Sequence, residues 1–132
     1  MSLNIIQATF DTLIYDLAES EGWELILENQ KADPTVNHIM PFILPTNAVP
    51  IANTTESTVR YTGVYQVSLF QKKGTGTEWY RQAADKIIET FRQGKFFDND
   101  CIRIKSSYVS SSISYNDLFM LAPITINYDG LY

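Results

Sequence analysis

From Ser57 to Gln71 the chain alternates. Val59, Tyr61, Gly63, Tyr65, Val67 and Leu69 hold the odd positions; Arg60, Thr62, Val64, Gln66, Ser68 and Phe70 hold the even ones. Side chains on a strand point to opposite faces in turn, so the pattern predicts a long strand with one apolar, aromatic face buried and one mostly polar face. The tract Lys72-Lys73-Gly74-Thr75-Gly76-Thr77 then turns the chain into a helix. Trp79, Ala83, Ala84, Ile87, Ile88 and Phe91 form its apolar stripe, with Glu78, Arg81, Asp85, Lys86, Glu89 and Arg92 outward. Thr75 and Glu78 have capping-box spacing and Gly94 suits a left-handed stop, so the helix is predicted over 75–93. Every other segment must flank this strand or cover its apolar face.

A first helix is predicted over residues 4–20, with Ile6, Phe10, Leu13, Ile14 and Leu17 inward and Asp11, Asp16 and Glu19 on the other side. Its polar face is acidic, whereas helices that lie on membranes favour Lys and Arg, so it reads as a packing helix. Trp23–Glu28 reads as a short strand, and Asn37–Leu44 as an extended segment in which Pro41 demands an edge or a break. Residues 46–56 form the longest irregular stretch, either a surface loop that folds back on its own core or, through Val49 and Ile51, a docking point for a neighbouring subunit. Phe96 to Asp100 reads as a loop and Cys101–Lys105 as a strand. Ser106–Ser114 reads as an extended, partly paired, serine-rich segment containing Tyr108 and Val109. The final strand is predicted over 118–128, ended by Asp129-Gly130. The implied fold class is α+β: a two-layer, mixed, mainly antiparallel sheet with two helices packed on one face.

At 132 residues a single domain spanning 1–132 is expected, long enough to bury a core without a disulfide or metal. The lone Cys101 makes an intrachain disulfide impossible, and cytoplasmic folding is the simplest reading. No secretory signal and no apolar run of membrane-spanning length is expected to act, so no membrane partner is implied. A formal net charge of −5 argues against a general nucleic-acid binder, which needs a basic footprint.

The catalytic inventory is thin. His38 is the only histidine, and no Gly-x-Ser-x-Gly elbow accompanies it. Asp98-Asn99-Asp100 starts like a calcium loop but lacks the later ligands. Gly74-Thr75-Gly76-Thr77 beside Lys72 and Lys73 could cradle an anion at a helix N-terminus. It lacks both phosphate-loop patterns and is equally explained as a turn with a cap. No catalytic residue, cofactor or metal is therefore expected. Seven Phe, eight Tyr and two Trp in an acidic chain suit a module that assembles with other subunits.

Several stretches, in order, resemble the bacteriophage tail terminator and tail-completion proteins. They are Leu27-Glu28-Asn29, Pro41-Phe42-Ile43-Leu44-Pro45, Arg60-Tyr61-Thr62-Gly63-Val64-Tyr65-Gln66-Val67, Gly74-Thr75-Gly76 and Ala122-Pro123-Ile124-Thr125-Ile126-Asn127-Tyr128. The resemblance covers nearly the whole chain and involves no active-site motif. It implies a non-enzymatic subunit that closes into a ring with itself, commonly a hexamer, in the virion tail after assembly in the host cytoplasm. The ring would cap the head-proximal end of the tail tube, stop its growth and offer a surface to the head-completion protein. Its partners would be the major tail tube protein, the head-completion protein, and DNA only as it passes through. The acidic charge would suit a lumen through which DNA slides. Arg60, Thr62, Gln66 and Ser68 on the polar strand face are candidates for that lining. Val49, Ile51, Tyr108 and Val109 are candidates for the subunit or lumen interface. The alternatives are a head–tail joining or other minor tail protein, and a small anion- or nucleotide-binding protein using the Gly74–Thr77 turn.

Overall fold

The computed structural model describes residues 2–27, 36–44, 47–50, 59–110 and 112–132. In chain order the elements are α1 (Ser2–Glu21), β1 (Glu24–Leu25), β2 (His38–Ile43), β3 (Asn47–Pro50), β4 (Val59–Lys72), α2 (Glu78–Thr90), β5 (Phe96–Phe97), β6 (Ile102–Val109), β7 (Ile113–Ser114) and β8 (Phe119–Leu131). The strands form one sheet in the order β1-β2-β4-β8-β6-β5, with β3 also on β4 and β7 also on β8. Only the short β1–β2 pair is parallel. The fold is α+β, as the alternation and the two helical stripes predict.

The alternating strand is the spine. β4 pairs with β8 from Arg60↔Leu131 to Lys72↔Phe119. This register sets Tyr65, Val67 and Leu69 directly opposite Ile126, Ile124 and Ala122, so the apolar sets of both strands share one face. Ile6, Phe10, Ile14 and Ala18 of α1 and Ala83, Ala84, Ile87 and Phe91 of α2 pack onto that face in one buried cluster. Phe10 lies at its centre, with ring centroids 5.0 Å from Tyr65, 5.3 Å from Tyr128 and 5.5 Å from Phe91. The Tyr65 hydroxyl, whose ring is fully buried, donates to the Asp11 carboxylate on the side of α1.

The structure corrects the sequence reading at five places. Part of the stretch expected to be irregular is β3, whose Asn47–Pro50 pair with Thr62–Val59. Four residues carry too little periodicity to announce a strand; the long partner supplies the pairing. The helix starts at Glu78 rather than Thr75, and Thr77 at its N-cap makes no side-chain cap bond. Phe96–Phe97 pair with Ile102 and Arg103 instead of looping. The hairpin turn between them runs Asp98, Asn99 and Asp100 through left-handed backbone, a conformation that Asp and Asn tolerate better than most residues. Asp129-Gly130 do not end the last strand: both stay paired, with Thr62 and Tyr61 on β4 and with Arg103 and Ile102 on β6. Finally, β4 is not polar along all of its second face, because Ser68 and Phe70 are buried.

Pro41 sits where its missing N–H requires. It pairs with Val67 on β4, while β1 on the other side reaches only His38 and Ile39.

Candidate interaction surface

Both helices occupy one face of the sheet, so the other face is left to the even-numbered residues of β4 and their neighbours. Three zones follow one another along it. At one end β4 Arg60 grips β8 Asp129, with Nε to Oδ1 at 2.7 Å and Nη2 to Oδ2 at 2.9 Å. Arg103 on β6 adds a contact to Oδ2 at 3.3 Å. The Asp129 side chain is only 11% exposed while both arginines are nearly half exposed. The hydrogen bonds from Arg60 hold its carboxyl below the ordinary carboxylate range against the opposing effect of burial, helped by the positive charges of Arg60, Lys105 and Arg103. Such a two-pronged guanidinium–carboxylate contact fixes orientation as well as charge.

In the middle, Thr62, Val64, Asn127, Ser106 and Lys105 line an open groove of about 740 Å³. A β-bulge between Ile104 and Ser106 interrupts the β6 register and brings Lys105 to this groove. The Asn127 amide donates to the Ser106 hydroxyl across the strands at 2.9 Å. At the far end the face turns aromatic. His38 stacks on Phe70 at 4.6 Å, while Phe119 and Tyr115 meet that pair edge-on. Burial pushes the His38 imidazole down from its usual value, opposed by its contact with the Val36 carbonyl and by Glu24. The only histidine is thus a packed ring with no nucleophile described beside it.

The candidate residues divide accordingly. Arg60, Thr62 and Gln66 share the helix-free face, but Arg60 is committed to Asp129. Ser68 is 4% exposed and accepts a hydrogen bond from Gln66, so it offers no surface. Val49 and Tyr108 are more than half exposed, at opposite margins of the sheet, and Val109 is exposed next to Tyr108 on the other face. Ile51 lies outside the described residues. Sequence reasoning missed Asp129, because Asp-Gly was read as a stop; the continued alternation of β8 through Tyr128 and Gly130 was the available signal.

The glycine turn is built around Gln71, a buried residue at the end of β4. Its amide donates to the Gly76 carbonyl at 2.7 Å and to the Thr75 hydroxyl at 3.2 Å, and its carbonyl oxygen accepts from the Tyr80 N–H at 3.1 Å. Gly74 and Gly76 both have positive φ, which this tight reversal requires. A helix-terminal N–H that an anion would use is already occupied. Among the described residues no group of three or more His, Cys, Asp or Glu could hold a metal ion.

A family model described as phage tail terminator protein matches residues 4–128. The chain belongs to the phage tail terminator family. This is a family of structural tail proteins, in agreement with the resemblance seen in the sequence and with a role in the virion tail. A search among curated proteins found no match. One solved structure aligns with 100% of this chain and 97% of its own, with a TM-score of 0.79 and 19% identity. At that identity the likeness speaks for the fold alone. No helix described here is long and apolar enough to cross a membrane.

Proposed function

We propose that this protein assembles into a ring that caps the head-proximal end of the tail tube, ends its polymerisation and presents the surface to which the head-completion protein joins. The family match across residues 4–128 carries the reading. The architecture supports it physically. A sheet with helices on one face only has a second face free to turn toward a ring axis, and tube growth by stacking needs a terminal subunit that binds on one side and not on the other.

In this reading the lumen lining is the helix-free face, with Thr62, Gln66 and the Arg60–Asp129 cluster. The acidic lumen expected from net charge needs revision. The described charges toward the Arg60–Asp129 end and the middle of this face are Arg60, Arg103, Lys105 and Asp129, and the acidic residues of α1 lie on the helix layer. DNA still slides past when arginines are tied to a carboxylate rather than free to grip phosphates.

The test is tube polymerisation in vitro with the cognate tail tube protein, viewed by electron microscopy. With this protein present, tubes should carry a density at one end and cease to elongate from it. Tubes that grow unchanged at saturating protein would overturn the proposal. Binding only to preformed head connectors would instead favour a head–tail joining role.

A further inference from the structure

The charges are divided along the chain. Residues 1–59 contain eight Asp or Glu and one Lys, while residues 60–132 contain seven Asp or Glu and nine Lys or Arg. The topology separates these halves only in part, because α1 and α2 share one layer, where Lys86 pairs with Glu21 at 2.7 Å. The first half supplies α1, β1, β2 and β3, which include one margin of the sheet, and Glu19 of α1 shares a cleft with Leu25 of β1 there. The second half supplies the opposite margin, where β5 and β6 lie with Lys95, Arg103 and Lys105, and with Asp98 and Asp100 in their turn.

Among the described residues each margin also ends in an open strand edge. Beyond β8, β6 is covered by β5 only at Ile102 and Arg103, and by Gly94 and Lys95 only at Ile104. No described strand covers Lys105–Val109 on that side. At the other margin β3 pairs with β4 and with no described strand beyond it. Edges of lone domains are usually blunted by charge or proline. Here one edge carries exposed Tyr108 and Val109 and the other exposed Val49, with Pro50 only at its end.

The backbone groups can be assigned by alternation. Ser110 N–H donates to the Pro123 carbonyl, so Ser107 and Val109 point theirs away from β8. Leu44 N–H donates to the Val64 carbonyl, so even-numbered β4 residues bond toward β2 and β3. Their partners Asn47 and Val49 therefore bond inward, and Ala48 points outward. Directions follow as well. β3 is antiparallel to β4, β4 to β8 and β8 to β6, so β3 and β6 run oppositely. Copies related by rotation about an axis along the strands would bring them together antiparallel.

We propose that β6 of one copy adds to β3 of the next as an antiparallel strand, head to tail, with Val109 opposite Ala48 and Tyr108 opposite Val49. Tyr108 and Val49 both stand on the helix-free face, where they form an aromatic–β-branched cross-strand pair. The contact is heterologous, so it closes into a ring when the rotation per subunit divides a full turn. Continuing the sheet in this way turns the helices outward and the Arg60–Asp129 face toward the axis. The inference deepens the ring reading above and rests on it.

Cysteine cross-linking tests it. In a Cys101→Ser background, the double variant Val49→Cys/Tyr108→Cys is oxidised and run on a non-reducing gel beside each single variant, with mass measured by light scattering. The expected result is a ladder that ends at the ring size, dimers alone when the two single variants are mixed, and no cross-link from either single variant by itself. An oligomer without a 49–108 cross-link overturns the edge pairing and leaves the ring reading standing. Cross-linking by one single variant alone shows a two-fold contact and also overturns it. A protein that stays monomeric at all concentrations, with tube protein included, overturns both.

Discussion

Replacing Gln71 by Leu should detach the start of α2 from the end of β4. The side chain accepts from Tyr80 N–H and donates to the Gly76 carbonyl and the Thr75 hydroxyl, and it is 3% exposed, so water cannot take its place. Losing a helix N-terminal cap costs about 1 kcal/mol. Losing the Gly76 bond costs roughly another 1 kcal/mol. The 3.2 Å contact to Thr75 adds little, because that hydroxyl keeps its 2.7 Å bond to the Lys72 carbonyl. The sum is about 2 kcal/mol, or a fall in melting temperature of roughly 6–10 °C for a chain of this size. Urea unfolding gives the free energy, and amide exchange at Tyr80 reports the lost cap directly. The comparison that decides the matter is Glu78→Ala. A Thr75–Glu78 capping box would make Glu78 the costly position, whereas here its carboxylate accepts only from exposed Gln82. If Glu78→Ala destabilises more than Gln71→Leu, the reasoning is wrong.

Phe10→Ala removes the ring at the centre of the aromatic cluster and should cost about 3–5 kcal/mol by urea unfolding. Gly94→Ala forces a Cβ into left-handed backbone at φ +84°, for a loss of about 1–2 kcal/mol by the same assay. Acid should weaken the fold in two windows. The folded-state pKa values of His38 and Asp129 are both depressed, so each contributes stability that is present above its unfolded value and lost as pH falls through the folded one. The first loss begins below about pH 6.5 and disappears in His38→Gln; the second begins below about pH 4 and disappears in Asp129→Asn. Unfolding curves collected from pH 8 to pH 2 check both.

The legible parts were those whose signal is local and periodic. The strand around Tyr65 and Val67 and the helical stripe from Ala83 to Phe91 declare a period of 2 and of 3.6, and packing agrees with both. What escaped depends on partners distant in sequence. β3 is a strand because β4 lies beside it, and Asp129 is a strand residue because Arg60 is 69 positions away. Gln71 looked like the last residue of a strand, and its cap appears only once the turn folds the helix back onto it. The buried end of the helix-free face was hidden too: Phe70 sat among polar neighbours, and only the approach of His38, Tyr115 and Phe119 makes it a packed site. Val49 and Tyr108 could be singled out as exposed apolar residues, but that they lie on opposite margins is a property of strand order.

The Arg60–Asp129 pair gives the lumen reading a consequence beyond stability. If this face lines a passage for DNA, the carboxylate has a second task, which is to keep two guanidinium groups occupied. Asp129→Asn keeps the shape of the side chain and removes its charge, so each subunit gains one net positive charge on the face with Arg60 and Arg103 released. Multiplied around a ring, that charge should raise the affinity of the assembled protein for duplex DNA. It should also steepen the fall of affinity with salt, since each added phosphate contact contributes about −0.9 to the logarithmic slope. The measurement is DNA binding across a salt series for the assembled wild type and variant, with Glu89→Gln as a control of equal charge change on exposed α2. A rise specific to Asp129→Asn places DNA against the helix-free face. Equal rises for both variants would mean that only total charge matters, and the face would then have no claim to the lumen.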